Sequence, residues 1–161
     1  MEIQFILNKK QVSVEVNADS VLIDVLRSLG CKSVKCGCET TNCGLCTVWF
    51  DGKSRLSCSV LAAGVDGREV TTMEGVEEEA AEFGEFLAAE GAEQCGFCSP
   101  GFIMNVLAMM RELENPSIEE IKEYLAGNLC RCTGYMGQLR AIQKYMEKRQ
   151  SAVIKVREVQ G

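Results

Sequence analysis

The sequence predicts an α+β chain in two parts, with short strands and one helix before residue 75 and helices after it. Three observations carry that expectation. Apolar residues alternate in the first part and recur at helical spacing in the second. Eight of the ten cysteines fall into two groups of four, one in each part. The parts are bounded at 1–75 and 76–149, with a tail at 150–161.

The elements follow in order. Ile3-Gln4-Phe5-Ile6-Leu7 and Val12-Ser13-Val14-Glu15-Val16 flank the turn-forming Asn8-Lys9-Lys10, and read as a β-hairpin. Ser20 is placed to cap a helix over 21–29, with Val21, Leu22, Val25, Leu26 and Leu29 on one face and Gly30 as its stop. Thr47-Val48-Trp49-Phe50, the turn Asp51-Gly52 and a strand over 54–60 make a second hairpin, because Asp-Gly favours a type I′ turn. One more short strand is expected within 65–72.

Residues 74–93 hold eight glutamates and no basic residue, which reads as a solvated linker and an exposed helix face rather than an acidic binding patch. Ser99 as N-cap and Pro100 at the first helical position open a helix carrying Ile103, Val106, Leu107, Met110 and Leu113, ended by Asn115-Pro116. Ser117 opens the next, with Glu120 placed to complete a capping box and Ile118, Ile121, Tyr124 and Leu125 as its face. Residues 135–149 form a last helix with Leu139, Ile142, Tyr145 and Met146 as its stripe, so the second part reads as a small helical bundle. Residues 152–159 alternate enough for a strand, or for docking on a partner.

Composition narrows the chemistry. The chain of 161 residues has no histidine, which removes Ser-His-Asp triads, imidazole bases, HExxH zinc sites and Rieske or His-ligated haem centres. Seventeen basic against 23 acidic residues give a net charge of -6, with no basic stripe interleaved with aromatics, so no nucleic-acid partner is expected. The longest apolar run, 101–110, is short of the roughly 18 residues a membrane span needs. The first residues lack the pattern of a secretory signal, and the chain is expected in the cytoplasm. Ten cysteines in that reducing compartment favour metal over disulfides.

The first quartet is Cys38, Cys43, Cys46 and the distant Cys58, the C-x4-C-x2-C…C spacing of plant-type [2Fe–2S] sites. Three thiolates on one tight loop wrap the cluster, and the fourth is expected from a neighbouring strand. The cluster with its four thiolates is an anion, so backbone N–H groups must turn towards sulfur, and Gly37 and Gly44 let the backbone come close. The second quartet is Cys95, Cys98, Cys130 and Cys132, with Gly96 between the first pair. A four-thiolate zinc site could use Cys43, Cys46, Cys95 and Cys98, but leaves the other four unexplained. A thioredoxin-type C-x-x-C would follow a strand in a βαβ unit, which neither pair clearly does. Cys31 and Cys36 are spare, and read as small buried hydrophobes.

These residues carry a resemblance. Gly37-Cys38, Cys43-Gly44-Leu45-Cys46-Thr47-Val48 and Cys58, then Gln94-Cys95-Gly96-Phe97-Cys98-Ser99-Pro100-Gly101-Phe102, then Gly127-Asn128-Leu129-Cys130-Arg131-Cys132-Thr133-Gly134-Tyr135 resemble the small iron–sulfur subunit of molybdenum hydroxylases. That is the xanthine dehydrogenase, aldehyde oxidoreductase and carbon monoxide dehydrogenase family. The resemblance implies an N-terminal β-grasp, plant-type ferredoxin-like domain and a C-terminal four-helix-bundle domain, each with one [2Fe–2S] cluster. It implies that Cys95, Cys98, Cys130 and Cys132 ligate the molybdenum-proximal cluster, and Cys38, Cys43, Cys46 and Cys58 the flavin-proximal one. Gln94 and Cys132 match positions that lie against the pterin.

The resemblance further implies a molybdopterin-binding large subunit, an FAD-binding medium subunit, and a hetero-oligomer such as a dimer of heterotrimers. Electrons would pass from molybdenum through both clusters to flavin. The substrate expected for the complex is a purine or other N-heterocycle, with an aldehyde or carbon monoxide as the alternative. A freestanding ferredoxin-like carrier is the rival from another class, although a shuttle needs only the first quartet. The chain departs from the family in its first loop. There the usual CGEGxCGAC reads Cys38-Glu39-Thr40-Thr41-Asn42-Cys43, without glycine at 39 and 41, which bears on the loop's conformation. Gln138 stands at a family isoleucine, and a frequent histidine before the third helical-domain segment is absent.

Overall fold

A computed structural model describes residues 1–159. Its five strands form one mixed sheet, ordered β2-β1-β5-β3-β4. β1 (Glu2–Leu7) and β2 (Lys10–Glu15) pair antiparallel from Glu2↔Glu15 to Leu7↔Lys10. The turn takes only two residues, Asn8 and Lys9, both at positive φ (50° and 66°), the geometry that matches strand twist. Ile3, Phe5 and Leu7 point inward, as the alternation requires. β3 (Thr47–Phe50) and β4 (Lys53–Leu56) form the second hairpin, with Asp51 (φ 48°) and Gly52 (φ 76°) in the expected turn. β5 (Glu69–Thr71) lies between the hairpins, parallel to β1 and antiparallel to β3.

Two strand expectations are shortened. β4 stops at Leu56 rather than residue 60, because the chain turns into a 3₁₀ turn at Ser57–Ser59. Cys58 therefore arrives from that turn and not from a strand. Of residues 65–72 only the last part is strand, since Ala62–Val65 is a 3₁₀ turn.

Helix α1 (Leu22–Ser28) is covered by the sheet and buries Leu22, Ile23, Val25 and Leu26; Leu29, expected on that face, is exposed. Ser20 does not cap it. The Ser20 hydroxyl accepts from the Asn17 amide, and the helix start is met by tertiary contact instead, Leu22 N–H donating to the Val60 carbonyl at 2.8 Å. The far end closes as expected. Gly30 (φ 94°) lets Cys31 N–H reach Leu26 O and its own N–H reach Arg27 O, a Schellman ending.

The second part contains α2 (Glu77–Ala89), α3 (Ser99–Glu112), α4 (Ile118–Leu125) and α5 (Met136–Val159). The glutamate-rich stretch is more than a solvated linker. α2 buries Ala80, Phe83 and Leu87 at helical spacing, while Glu79, Glu82 and the adjacent Glu90 pair with Arg111, Arg140, Lys144, Lys148 and Arg149 across the surface. Such exposed pairs are each worth about 0–1 kcal/mol, so the apolar stripe holds the helix.

α3 is the central helix, buried almost all round from Ser99 to Met109. Cys98, rather than Ser99, is its N-cap, and Pro100 falls in its first turn. The capping box at Ser117 and Glu120 forms as expected. α5 runs on through Val159, so residues 152–159 are helix and not strand. No proline or glycine stands between 138 and 160 to stop it. Residues 160–161 of the tail lie outside the described residues.

Two hydrophobic cores result. One joins the sheet to α1 through Ile3, Phe5, Leu22, Leu26, Val48 and Val70; the other gathers Phe83, Leu87, Met104, Leu107, Ile142 and Tyr145 from the helices. Trp49 of β3 belongs to the helical core, its indole N–H donating to the Met104 carbonyl at 2.8 Å with the Arg111 guanidinium over its ring. The sheet is thereby fastened to α3.

Candidate metal centres

The first quartet lies on the long connection from α1 to β3 and on the turn after β4. Glu39 (φ 53°) and Thr41 (φ 57°) both occupy left-handed backbone, the conformation glycine would supply there. Alternating in this way, the loop turns the Thr40 and Asn42 amides onto Cys38 Sγ at 3.5 and 3.4 Å. Those amides, Asn42 first, hold the Cys38 thiol down at about 6, so a thiolate forms there at neutral pH.

The other three members are deeper. Cys43 and Cys46 are buried, and Cys46 Sγ stands 3.3 Å from Cys58 Sγ. Burial pushes Cys43 up, and pushes Cys58 up to about 12, with the nearby Cys46, Cys38 and Cys43 adding to it. Gly37 lies close to the site: a Cβ there would stand 2.7 Å from Leu45 Cδ2 and 3.2 Å from Cys43 Sγ, so the Leu45 side chain would have to shift.

The second quartet joins the start of α3 to the connection between α4 and α5. Cys98 is pushed up to about 12 by burial, then by Cys130 and Cys95. Burial also pushes Cys130 up, but the Thr133 hydroxyl and amide and the Cys132 amide outweigh it and bring the thiol down; the hydroxyl donates to Cys130 Sγ at 3.2 Å. Cys132 is raised by its neighbour Cys95. The Cys130 amide donates to the Tyr135 hydroxyl at 3.0 Å, and Tyr135 itself sits at φ 69° to make that return. Gln94, Cys95 and Cys132 are exposed.

Among the described residues, no three or more His, Cys, Asp or Glu side chains are set to hold a metal ion. The fold instead gathers thiols in pairs: Cys38 with Cys43, Cys46 with Cys58, Cys98 with Cys130, and Cys95 with Cys132. A two-iron cluster takes two thiolates on each iron, so paired, all-sulfur donors backed by amide and hydroxyl donors fit that group. The cross-quartet zinc set is not what the fold assembles, since Cys46 faces Cys58 and Cys98 faces Cys130. Cys31 is buried and its thiol is raised chiefly by that burial, as a packing role requires, whereas Cys36 is exposed.

The sequence assigned no role to Asn105, nor to Asn128 beyond its place in the motif before Cys130; both are buried and hydrogen-bonded to each other. The trace was there: Asn105 is the one uncharged amide in the apolar run of α3.

Comparison with known proteins agrees with this site chemistry. Residues 72–143 match the family described as [2Fe-2S] binding domain. The chain is 48% identical over 118 residues to the xanthine dehydrogenase iron-sulfur-binding subunit of Escherichia coli O157:H7, a match covering 71% of this chain and 74% of that one. It is 38% identical over 146 residues to the nicotinate dehydrogenase small FeS subunit of Eubacterium barkeri, covering 89% and 92%. Quinoline 2-oxidoreductase from Pseudomonas putida 86 superposes with a TM-score of 0.81 at 35% identity, covering 88% of this chain and 90% of that chain. The class is thus the iron–sulfur proteins with a [2Fe-2S] domain. Within it, the chain belongs to the small iron–sulfur subunits of the molybdenum hydroxylase family.

Proposed function

We propose that this chain is the electron-transfer subunit of a molybdenum hydroxylase and binds no substrate itself. Cys38, Cys43, Cys46 and Cys58 hold one [2Fe–2S] cluster, and Cys95, Cys98, Cys130 and Cys132 hold the other. Each cluster takes up and gives up one electron at a time, so a two-electron oxidation elsewhere leaves in single steps. The observation that carries the reading is the gathering of eight thiols into four close pairs, two in each part of the chain, with donors turned onto Cys38 and Cys130.

The rest of the reading follows from exposure. Phe97, Leu129, Tyr135 and Met136 are large apolar side chains left 45–59% exposed around the second quartet, the kind of patch a partner covers. Gln94 and Cys132, both exposed, are the residues that would meet a pterin carried by a large molybdopterin-binding subunit. The first quartet then serves an FAD-binding medium subunit. The sheet with α1 is a β-grasp, ferredoxin-like unit over 1–75, α2 to α5 a four-helix-bundle unit over 76–149, and 150–161 a tail. We place the complex in the cytoplasm as a heterotrimer that pairs with a second copy. Xanthine, nicotinate and quinoline enzymes among the similar proteins favour an N-heterocycle as the substrate of the whole complex.

Iron, acid-labile sulfide and visible absorbance of the native complex test this. Two clusters' worth per chain, eluting with larger partners on gel filtration, is the expected result. Iron and sulfide near zero, or elution of a loaded chain at its own 17.7 kDa, would overturn it.

A further inference from the structure

The two thiol quartets are joined by a backbone hydrogen bond. Leu129 N–H, one residue before Cys130, donates to the carbonyl of Cys43 itself at 2.9 Å. The chain from one quartet to the other is therefore continuous through bonded atoms and a single hydrogen bond, with no van der Waals gap to cross. The Leu129 side chain is 48% exposed, so packing of that residue does not hold the bond in place.

What does hold it is the preceding residue. Asn128 is 6% exposed, and its amide nitrogen donates to the carbonyls of Gly44 at 3.3 Å and Gly101 at 3.4 Å. One carboxamide thus bridges three ligand-bearing segments: the loop after Cys43, the helix after Cys98 and the turn before Cys130. Its oxygen accepts from Asn105 Nδ2 at 2.5 Å, and Asn105 Oδ1 accepts in turn from Ser54 Oγ at 2.5 Å. The glycines make the approach possible. A Cβ on Gly44 would lie 2.5 Å from Gly127 O and 2.6 Å from Asn128 Nδ2, and one on Gly101 would collide with the Gly44 carbonyl.

A buried, fully used amide in a low-dielectric contact is both strong and costly to disturb. Tunnelling falls steeply with gap length, so a brace that keeps this hydrogen bond closed sets the rate at which an electron crosses. We propose that Asn128, supported by Asn105, is a positioning residue for electron transfer between the two quartets, acting through the Leu129–Cys43 hydrogen bond. The transfer moves a single electron, one donor oxidised and one acceptor reduced, with no bond or proton changing hands. The proposal rests on the two-cluster reading above.

The test uses the assembled complex with Asn128→Leu, which keeps the branched four-atom side-chain shape but loses all three hydrogen bonds. Glu119→Ala, on the exposed face of α4 and outside these contacts, serves as the control. Iron and sulfide content is read first, then the spin–spin splitting between the two reduced clusters, then the rate of internal equilibration after flash reduction. Asn128→Leu is expected to keep both clusters, weaken the splitting and slow equilibration about tenfold or more, while Glu119→Ala changes neither. Unchanged splitting and rate in a fully loaded Asn128→Leu complex overturns the proposal.

Should Asn128→Leu lose a cluster, Asn105→Ala decides, because it leaves Asn128 present but unbraced. A slower rate and weaker splitting there support the role, and wild-type values overturn it. A wild-type complex lacking two clusters would instead overturn the functional reading itself.

Discussion

The first quartet sits on a loop bent around Cys38, whose own amides face the sulfur, whereas the second hangs from helix ends and is backed by side chains. At Cys38 the donors are the backbone N–H groups of Thr40 and Asn42. At Cys130 the Thr133 hydroxyl donates to sulfur, and the Tyr135 hydroxyl takes the adjacent amide. A loop can be built from local dihedral angles alone, but a site spread over α3, α4 and α5 depends on the helical core to bring its halves together. The comparison teaches that equal donor sets can have unequal causes. One is conformational and one is tertiary.

The largest effect that could break this comparison is loss of one site without the other. Cys58→Ala and Cys132→Ala should each remove half the iron and labile sulfide, Cys58→Ala sparing the second cluster's paramagnetic signal and Cys132→Ala the first's. Loss of both clusters in either variant would show that the sites fold as one.

Thiol reactivity gives the next contrast. The thiolate is the nucleophile, so a thiol held low reacts at lower pH. In the cluster-free chain Cys38 should be half-maximally alkylated by iodoacetamide near pH about 6, ionised above it and protonated below. Cys98, pushed up to about 12, should stay unmodified at neutral pH. Peptide mass spectrometry across a pH series reads both, and equal rates at pH 7 would remove the distinction between these two thiols.

A smaller effect tests the packing beneath the second quartet. Gln138 is 4% exposed among Phe102, Leu139 and Ile142, and its Oε1 has no partner. A buried acceptor left unpaired costs about 1–3 kcal/mol, so Gln138→Leu should raise stability by about 1–2 kcal/mol. Thermal denaturation of the loaded chain measures it. A lower melting temperature would mean that the amide has a use in the isolated chain.

The features legible in the sequence are those with local causes. The Asp51-Gly52 turn, the Ser117–Glu120 capping box and the Gly30 helix stop each depend on neighbours in sequence, and each forms. The cysteine spacing is only partly of this kind: Cys38 and Cys43 meet along one loop, whereas Cys46 meets Cys58, Cys98 meets Cys130 and Cys95 meets Cys132 only through the fold. Ser20 fails as a cap because the Leu22 amide is met by Val60, which is remote in sequence. The strand over 54–60 is cut short because its last part must turn Cys58 towards Cys46. Asn128 stands in the motif before Cys130 with no role of its own until Gly44 and Gly101 are brought against it. Long-range contact, invisible to periodicity, decides all three.

The smallest effect bears on the loop that distinguishes the first site from the second. Glu39 and Thr41 sit at φ 53° and 57°, where side chains are strained, and a β-branched residue more so than others. Strain of this kind costs on the order of 1–3 kcal/mol per residue, while glycine adds about 0.5–1 kcal/mol of unfolded-state entropy. The strain outweighs the entropy most clearly at the threonine. Thr41→Gly should therefore stabilise the loaded chain by about 1 kcal/mol, and Glu39→Gly by less, with roughly no change at its lower limit. Neither should alter the first cluster's spectrum, because the Thr40 and Asn42 amides stay where they are. Thermal denaturation followed at the cluster's absorbance reads both quantities together. If Glu39→Gly gained more than Thr41→Gly, strain at a β-branched side chain could not be what separates the two positions.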